Sequence, residues 1–291
     1  MTAGVLPEGF VKATARVGDI DVNYVRGGSG EPLVLLHGYP QNWYMWRRVL
    51  PAFAGRYTVV APDLRGAGGS SAPARGYDKR TMAADVHGLL GQLGLDQGVR
   101  LVGHDIGTMV AYAYAAAYPT TVARLVLTEA PIPDESIYRL PALTARGPAA
   151  WNFGLFNVAD GFVERFVAGR EELWVGRFMA SQTPHPETLD PEAVRAYAEP
   201  LRDADHLRAS FEFFRALATD VAHNAESVRT PLPMPVLALG AEGSLAQAVP
   251  EQVARYGSDV RGDVIADTGH WLFEERPDEL SGRVLDFLRR A

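Results

Sequence analysis

The sequence contains no cysteine. Disulfide bonds, thiolate catalysis and cysteine-ligated metal sites are therefore excluded. The absence fits a reducing compartment, and the N-terminal stretch lacks a charged region followed by an apolar one, so we expect a cytoplasmic protein without a signal peptide. No window approaches 18 uninterrupted apolar residues, so we expect neither a membrane-spanning helix nor a membrane partner.

Basic residues are in the minority. The chain has 28 Lys and Arg against 35 Asp and Glu, which gives a formal net charge of -7. Binding to nucleic acid phosphates requires clustered Lys and Arg, and here these residues are scattered, so we expect no nucleic acid partner. With 47% hydrophobic and 22% charged residues, the composition is typical of a globular domain. It leaves the oligomeric state open, including a homodimer.

A strand–turn–helix pattern surrounds Asp105. An apolar run at 99–102 is followed by a short turn and then by small and apolar residues with helical character at 108–118. Gly103 and Gly107 leave room for a turn tight enough to expose the Asp105 side chain at the end of the strand. A carboxylate with an ordinary pKa of about 3.9 is charged at neutral pH and can act as a nucleophile without a base to activate it.

Strands alternate with helices on both sides of this turn. We expect an N-terminal hairpin at 10–17 and 19–26. Buried strands are expected at 32–36, 57–61, 99–102, 122–127, 236–239 and 264–266, and helices at 43–53, 79–93, 108–118 and 277–290. This order predicts an α/β fold with a mostly parallel central sheet flanked by helices, and with ligands at the carboxyl ends of the strands.

The pattern changes between 133 and 230, where no buried strand is visible and aromatic residues recur at helical spacings. These stretches are 151–156, 162–166, 173–178 and 211–217. We predict a helical cap over 133–230, inserted after the strand that follows the Asp105 helix, and a core formed by 1–132 and 231–291. Most cap aromatics are expected to form the cap's own core, and the few that face the sheet would line a pocket.

The sequence resembles a known family at several points. The turn GHDIG, at 103–107, is similar to the nucleophile turn of the α/β-hydrolase fold, and its aspartate to that of epoxide hydrolases and of haloalkane or haloacid dehalogenases. Further similar segments follow the family order and are HGYP at 37–40, DLRGAGGSS at 63–71, TEAPIP at 128–133 and GHW at 269–271. The resemblance implies that Asp105 forms a covalent alkyl ester with a small to medium hydrophobic substrate. It implies no cofactor and no metal.

Hydrolysis of such an ester needs a base oriented by an acid. His270 follows the last predicted strand and is the candidate base. Glu129 closes the strand after the Asp105 helix, and its segment resembles the family's strand end most closely, so it is favoured as the acid. Glu242 stands at the other position where such folds keep their acid, and Asp134 is a third candidate.

The resemblance also assigns binding roles. The backbone N–H groups of Tyr39 and Ile106 are expected to form the oxyanion hole, and such donors contribute about 2.7–4 kcal/mol each in comparable sites. Residues expected to contact substrate are His37, Trp43, Trp151, Phe153, Phe214 and Trp271. His37 and His104 could also shape the turns beside them by hydrogen bonding.

The cap departs from the family in one respect. Epoxide hydrolases use cap tyrosines to donate a hydrogen bond to the epoxide oxygen, one of them just before an arginine, and here that position holds Phe214. Tyr138 or Tyr197 could replace it. The motifs together make an epoxide hydrolase-like enzyme the first hypothesis. The missing cap tyrosine motivates the alternative, which is a non-hydrolytic ligand binder, cyclase or isomerase on the same fold.

A haloacid or haloalkane dehalogenase is a third hypothesis. Haloalkane dehalogenases place halide-binding tryptophan and asparagine where this chain has Ile106 and Tyr39. Fluoroacetate dehalogenases carry arginines just after the nucleophile, and Ile106 and Met109 cannot bind a carboxylate in the same way.

Overall fold

The computed structural model describes residues 6–139, 142–144 and 147–289, with the backbone alone at 142–144 and 147–149. Ten strands are present: β1 Phe10–Val17, β2 Ile20–Gly27, β3 Glu31–Leu36, β4 Tyr57–Pro62, β5 Val99–His104, β6 Val122–Thr128, β7 Ala142–Thr144, β8 Gly147–Ala149, β9 Val236–Ala241 and β10 Val260–Ile265. Eight of them form one sheet in the order β1-β2-β4-β3-β5-β6-β9-β10, and β7 and β8 form a separate hairpin.

The large sheet is mostly parallel. Only the pairs β1–β2 and β2–β4 are antiparallel, while β4, β3, β5, β6, β9 and β10 pair in parallel. Every residue of β4 and β9 is buried, which explains their continuous apolar runs, since a parallel strand is covered on both faces. The predicted hairpin, strand order and fold class are confirmed, although β10 begins at Val260, four residues before the start of the predicted strand at 264–266.

Helices cover the sheet and fill the segment between β6 and β9. They are α1 Leu50–Ala54, α2 Lys79–Leu93, α3 Ile106–Ala117, α4 Trp151–Phe156, α5 Phe162–Val167, α6 Glu171–Ala180, α7 Pro191–Ala198, α8 Ala204–Arg215, α9 Leu217–Ser227, α10 Ala248–Val253, α11 Leu272–Glu275 and α12 Pro277–Arg289. Short 3₁₀ helices lie at Trp43–Trp46, Glu135–Arg139, Pro186–Thr188 and Pro200–Arg202. In the described part of the chain, no helix has both the length and the apolar character needed to cross a bilayer.

The prediction of one helix over 43–53 is wrong. The segment forms a 3₁₀ helix at Trp43–Trp46 and a separate α1 that starts at Leu50. Pro51 lies in the first turn of α1, where its missing N–H costs nothing, and it cannot donate the hydrogen bond that a continuous helix would need from it. By contrast, α2 has the predicted bounds, because Asp78 caps its first turn and Gly94 ends it in the left-handed conformation.

The segment between β6 and β9 packs directly on the sheet layer. One continuous cluster of buried apolar side chains includes residues of both. A buried ion pair also joins them: Lys79 Nζ, at the start of α2, lies 2.8 Å from Asp220 Oδ2 on α9 and donates to the Phe213 carbonyl at 2.6 Å. The predicted cap boundaries at 133 and 230 stay a prediction.

Two glycines allow the β5–α3 turn to pack against β3. A Cβ on Gly107 would lie 2.0 Å from the Leu36 carbonyl oxygen, and one on Gly103 would lie 2.4 Å from the carbonyl oxygen of Gly107. Both neighbours are backbone atoms, which cannot rotate away. The turn therefore approaches β3 more closely than any side chain at these positions would permit.

We expect Gly107→Ala to lower the free energy of unfolding by about 3 kcal/mol, because the added methyl group overpacks against fixed backbone. Gly91→Ala is the matched control: Gly91 lies within α2 and a Cβ there would meet nothing within 4 Å, so alanine should stabilise the helix by about 0.5–1 kcal/mol. Urea unfolding of both variants measures the difference. Equal stability of the two would contradict this account of the turn.

Candidate active site

Asp105 occupies a strained turn between β5 and α3. Its backbone angles are φ 52° and ψ -122°, a conformation that costs a non-glycine residue about 1–3 kcal/mol. The Asp105 N–H donates to the Thr128 carbonyl at 3.1 Å, and its own carbonyl accepts from the Thr108 N–H at 2.8 Å. These bonds hold the side chain at the carboxyl end of β5, where 17% of it stays exposed.

The loop after β3 lies directly against this carboxylate. A Cβ on Gly38 would be 2.3 Å from the Asp105 Cβ, so only glycine allows the contact. The next residue, Tyr39, donates its backbone N–H to Asp105 Oδ1 at 2.8 Å. Ile106 begins α3, and the first N–H groups of a helix have no acceptor within it. The structure thus brings both predicted oxyanion residues next to Asp105.

His270 contacts two carboxylates. Its Nε2 lies 3.5 Å from Asp105 Oδ2, and its Nδ1 lies 3.1 Å from Glu129 Oε2. Glu129 follows β6, is fully buried and has φ 53°. Its other oxygen, Oε1, accepts the Ala241 N–H of β9 at 2.6 Å. Asp105 after β5, His270 in the loop after β10 and Glu129 after β6 therefore form a chain of contacts in the order Asp105, His270, Glu129.

The other two candidate acids lie elsewhere. Glu242 is exposed, and its Oε2 accepts the Asp267 N–H at 2.8 Å. Asp134 accepts hydrogen bonds from Gln252 at 3.1 Å and Arg255 at 3.0 Å. Of the three candidates, Glu129 alone is in contact with His270.

The charges around His270 control its protonation. Burial alone would lower the pKa of this imidazole, but hydrogen bonds to Asp105 and Glu129 and their negative charges raise it to about 10. Burial would raise the pKa of Asp105, but the His270 hydrogen bond and charge and the Tyr39 N–H hold it below its ordinary value. The resting site thus contains an imidazolium between two carboxylates.

Two other histidines lie beside the site and are fully buried. Burial and the nearby charge of His270 lower the pKa of His104 to about 3. Burial likewise lowers the pKa of His37, whose Nδ1–H donates to the Gly38 carbonyl and whose Nε2 accepts the Leu64 N–H, both at 3.0 Å. Because both ring nitrogens are hydrogen-bonded to backbone groups, His37 holds the 37–40 loop in place. Its contact with substrate stays a prediction.

Aromatic residues of the helices between β6 and β9 surround the side chain of Tyr39. Its ring lies 5.1–6.3 Å, between centroids, from four phenylalanines, Phe156, Phe178, Phe211 and Phe214. The indole N–H of Trp174 donates to the Tyr39 hydroxyl at 2.7 Å. We refer to Tyr39, Trp174 and these four rings as the aromatic cage.

Sequence reasoning missed Trp174 and three of the four cage phenylalanines as site residues. The helical spacing of aromatics at 151–156 and 173–178 was visible, but that spacing does not reveal which side of α4 or α6 faces the sheet.

The other residues predicted to contact substrate are divided between the cage and its surroundings. Trp151 packs against Phe178 of the cage, and Phe153 against Phe214. Trp271 lies edge-on to His270, and its N–H donates to the Met179 carbonyl at 2.8 Å. Trp43 instead lines a cavity of about 720 Å³ beside α7, whose lining does not include Asp105.

Neither tyrosine named as a substitute for the missing cap phenol has a free hydroxyl at the site. Tyr197 is buried, and its hydroxyl donates to Glu274 Oε1. Tyr138 is 61% exposed.

Among the described residues, one group of potential metal ligands lies outside the site. Donor atoms of Asp78, Asp220 and His223 are within 4.8 Å of one another. However, Asp78 caps α2 and Asp220 pairs with the Lys79 ammonium. A cation already neutralises this cluster, which explains its charges without a metal.

The chain is similar to known proteins over most of its length. The model of the α/β-hydrolase fold family matches residues 31–277. The chain is 32% identical to a soluble epoxide hydrolase of Corynebacterium sp. (strain C12), over 94% of this chain and 95% of that protein. It is 30% identical to a fluoroacetate dehalogenase of Burkholderia sp., over 98% and 95%.

A solved structure is similar over the same extent. The Cif epoxide hydrolase from Acinetobacter nosocomialis superposes with a TM-score of 0.92 at 26% identity, covering 98% of this chain and 90% of that one. Both the sequence and the fold therefore match nearly end to end, and the chain belongs to the α/β-hydrolase fold family.

Proposed function

We propose that the protein is an epoxide hydrolase with Asp105 as its nucleophile. The observation that carries the proposal is the contact of His270 with both Asp105 and Glu129, at 3.5 and 3.1 Å. Relatives that are named epoxide hydrolases, at about 30% identity over nearly the whole chain, support it.

The first step is attack of the Asp105 carboxylate on an epoxide carbon. The C–O bond of the ring breaks, and an ester and an alkoxide form. The Tyr39 N–H on Oδ1 holds the carboxylate, leaving Oδ2 toward His270. Asp105 is a weak base because its pKa is held low, so its reactivity depends on position and on the exclusion of water by the cap.

The second step is hydrolysis of the ester. Once Asp105 is esterified it carries no charge, so His270 loses one of the two anions that raise its pKa. The imidazolium proton then goes, in net terms, to the alkoxide oxygen formed in the first step. The neutral imidazole becomes a base that activates water, while Glu129 keeps the ring oriented. The N–H groups of Tyr39 and Ile106 face the oxyanion that develops on Asp105.

The helices between β6 and β9 act as the cap in this proposal. The side chains of the aromatic cage and of Trp151 and Phe153 are largely apolar, which favours a hydrophobic substrate. Asp105→Asn, tested with a panel of epoxides, alkyl halides and esters, addresses nucleophile and substrate class together. Loss of epoxide turnover supports the proposal, and an unchanged rate overturns it.

Dehalogenation is a second candidate, favoured by the 30% identical fluoroacetate dehalogenase. It would use the same ester and the same base, with a halide as leaving group. Turnover of halides but not of epoxides in the panel would select it. Ligand binding without any turnover would select the non-hydrolytic alternative.

We expect His270→Gln to accumulate a covalent adduct on Asp105. Alkylation needs no base, whereas hydrolysis should slow by about 10²–10⁴-fold without one. Intact-protein mass spectrometry after mixing with styrene oxide should record an increase equal to the mass of the epoxide. His206→Gln is the control, since His206 bonds the Ser70 carbonyl on another side of the cap. Normal turnover by His270→Gln would remove His270 from the mechanism.

Glu129→Gln should slow hydrolysis of the ester by about 10²–10⁴-fold, because an amide keeps the shape but neither stabilises the imidazolium nor fixes its tautomer. Glu242→Gln should leave the rate unchanged, since the Glu242 side chain is exposed and, among the described residues, accepts a hydrogen bond only from the Asp267 N–H. Single-turnover decay of the adduct measures both. The reverse ranking would move the acid to Glu242.

The two steps should respond differently to pH. Alkylation should be flat between about pH 6 and 9, because Asp105 stays ionised well below that range. Hydrolysis should rise with pH and level off at an apparent pKa clearly below the value of about 10 that His270 has in the free protein, since esterification removes an anion. Rapid-quench measurement of adduct formation and decay separates the steps. Hydrolysis that titrates near pH 10 would contradict this coupling.

A further inference from the structure

The hydroxyl of Tyr39 is a buried donor without an acceptor. Trp174 donates to it at 2.7 Å, and an indole N–H can only donate, so the phenol oxygen accepts this bond and its own proton is left over. In the part of the chain that the structure describes, no group accepts that proton, although Tyr39 is only 2% exposed. A buried donor of this kind destabilises the protein when nothing pairs with it.

The residue that carries this hydroxyl is anchored beside Asp105 by its own backbone. The backbone N–H of Tyr39 bonds Asp105 Oδ1 at 2.8 Å. Its ring packs edge-to-face on Phe214, at 5.4 Å between centroids. The phenol that is absent from position 214 is thus present on the neighbouring ring, which belongs to the core loop instead of the cap.

We propose that Tyr39 donates its phenolic proton to the leaving oxygen when Asp105 opens an epoxide, and that Trp174 positions this phenol. The inference rests on the proposed function. As the carboxylate oxygen bonds to the carbon, the electron pair of the breaking C–O bond passes to the ring oxygen, which takes the Tyr39 proton. The products are the Asp105 ester, an alcohol and a phenolate that the Trp174 N–H stabilises.

The proton balance closes within the site. Esterification removes the Asp105 charge, so the His270 imidazolium becomes more acidic and its proton returns to the phenolate. The neutral imidazole then takes a proton from the water that attacks the ester. The acyl C–O bond of the ester then breaks, and the departing oxygen takes the remaining proton of the attacking water. The Asp105 carboxylate is regenerated beside the His270 imidazolium, and the sum is epoxide plus water to diol.

Other donors near the cage are engaged or unsuited. The Tyr197 hydroxyl donates to Glu274, and the Trp271 N–H donates to the Met179 carbonyl. Trp151 packs on Phe178, but an indole N–H holds an oxygen without transferring its proton under ordinary conditions. Tyr39 is the phenol whose proton is both buried at the site and uncommitted among the described residues.

The test is the alkylation step of Tyr39→Phe with styrene oxide, followed as adduct on Asp105 in rapid-quench mass spectrometry. The phenylalanine keeps the ring contacts and the backbone N–H. We expect alkylation to slow by about 10²–10⁴-fold, with little change in KM, and to lose the slowing in D₂O that proton transfer gives the native protein. Tyr197→Phe is the matched control and should keep both rate and isotope effect.

Moving the phenol gives an independent readout. The double variant Tyr39→Phe/Phe214→Tyr returns a hydroxyl to the adjacent ring, and we expect it to recover at least about tenfold of the lost rate, which a purely structural role of Tyr39 would not produce. Should Tyr39→Phe fail to fold, Trp174→Phe is tested instead. We expect it to slow alkylation as well, by a smaller factor.

The outcomes separate the two proposals. Native alkylation rate and isotope effect in a folded Tyr39→Phe overturn the role of Tyr39 and leave Asp105 as nucleophile, since the adduct still forms. Absence of both adduct and diol when the native protein is treated with epoxides, together with absence of adduct in His270→Gln, overturns both.

Discussion

The close approach of two backbone loops is the constraint on which the rest of this structure depends. β3 and β5 are neighbours in the sheet, so the loops that follow them meet at one edge. Gly38 and Gly107 remove the side chains that would separate them, and Gly103 allows the β5–α3 turn to fold closely on itself. Only at this spacing can the Tyr39 N–H reach Asp105, and the strain at Asp105 is balanced by the bonds that the approach makes available.

The burial of the site determines which of its histidines carries a charge. Two carboxylates flank one imidazole away from bulk water, and a single positive charge between them lowers the electrostatic cost of all three. His104 lies 4.9 Å from His270 between ring centroids, and a second cation there would compete for the same anions. Burial keeps His104 neutral. The protonation of His270 therefore depends on the charge of Asp105, which the proposed ester would remove.

The order of elements and the nature of the turn at Asp105 were predictable from sequence because each depends on local pattern: apolar runs, glycines and helix caps. Lys79–Leu93 is predictable for that reason, with Asp78 and Gly94 marking its ends. The break before Leu50 is less predictable, since the apolar residues of 43–53 keep a helical spacing across it in spite of Pro51. The choice between Glu129 and Glu242 as partner of His270 depends on which loop end turns inward, and the aromatic cage depends on how helices far apart in sequence pack. Neither the partner of His270 nor the composition of the cage can be predicted from a short stretch of sequence.

The division of polar groups between core and cap has a consequence for specificity. A donor carried by a cap helix moves whenever the cap shifts over the sheet, so its alignment with the nucleophile depends on closure. Tyr39 belongs instead to the loop after β3, and its backbone N–H binds Asp105, so the residue that carries the hydroxyl is anchored to the core beside the carboxylate. In the aromatic cage the cap then supplies apolar rings and the Trp174 N–H. A cage of this kind discriminates by shape and apolar area, where a methylene is worth about 1–3 kcal/mol. In the proposed function, substitutions among its phenylalanines would change substrate choice without altering Asp105, His270 or Glu129.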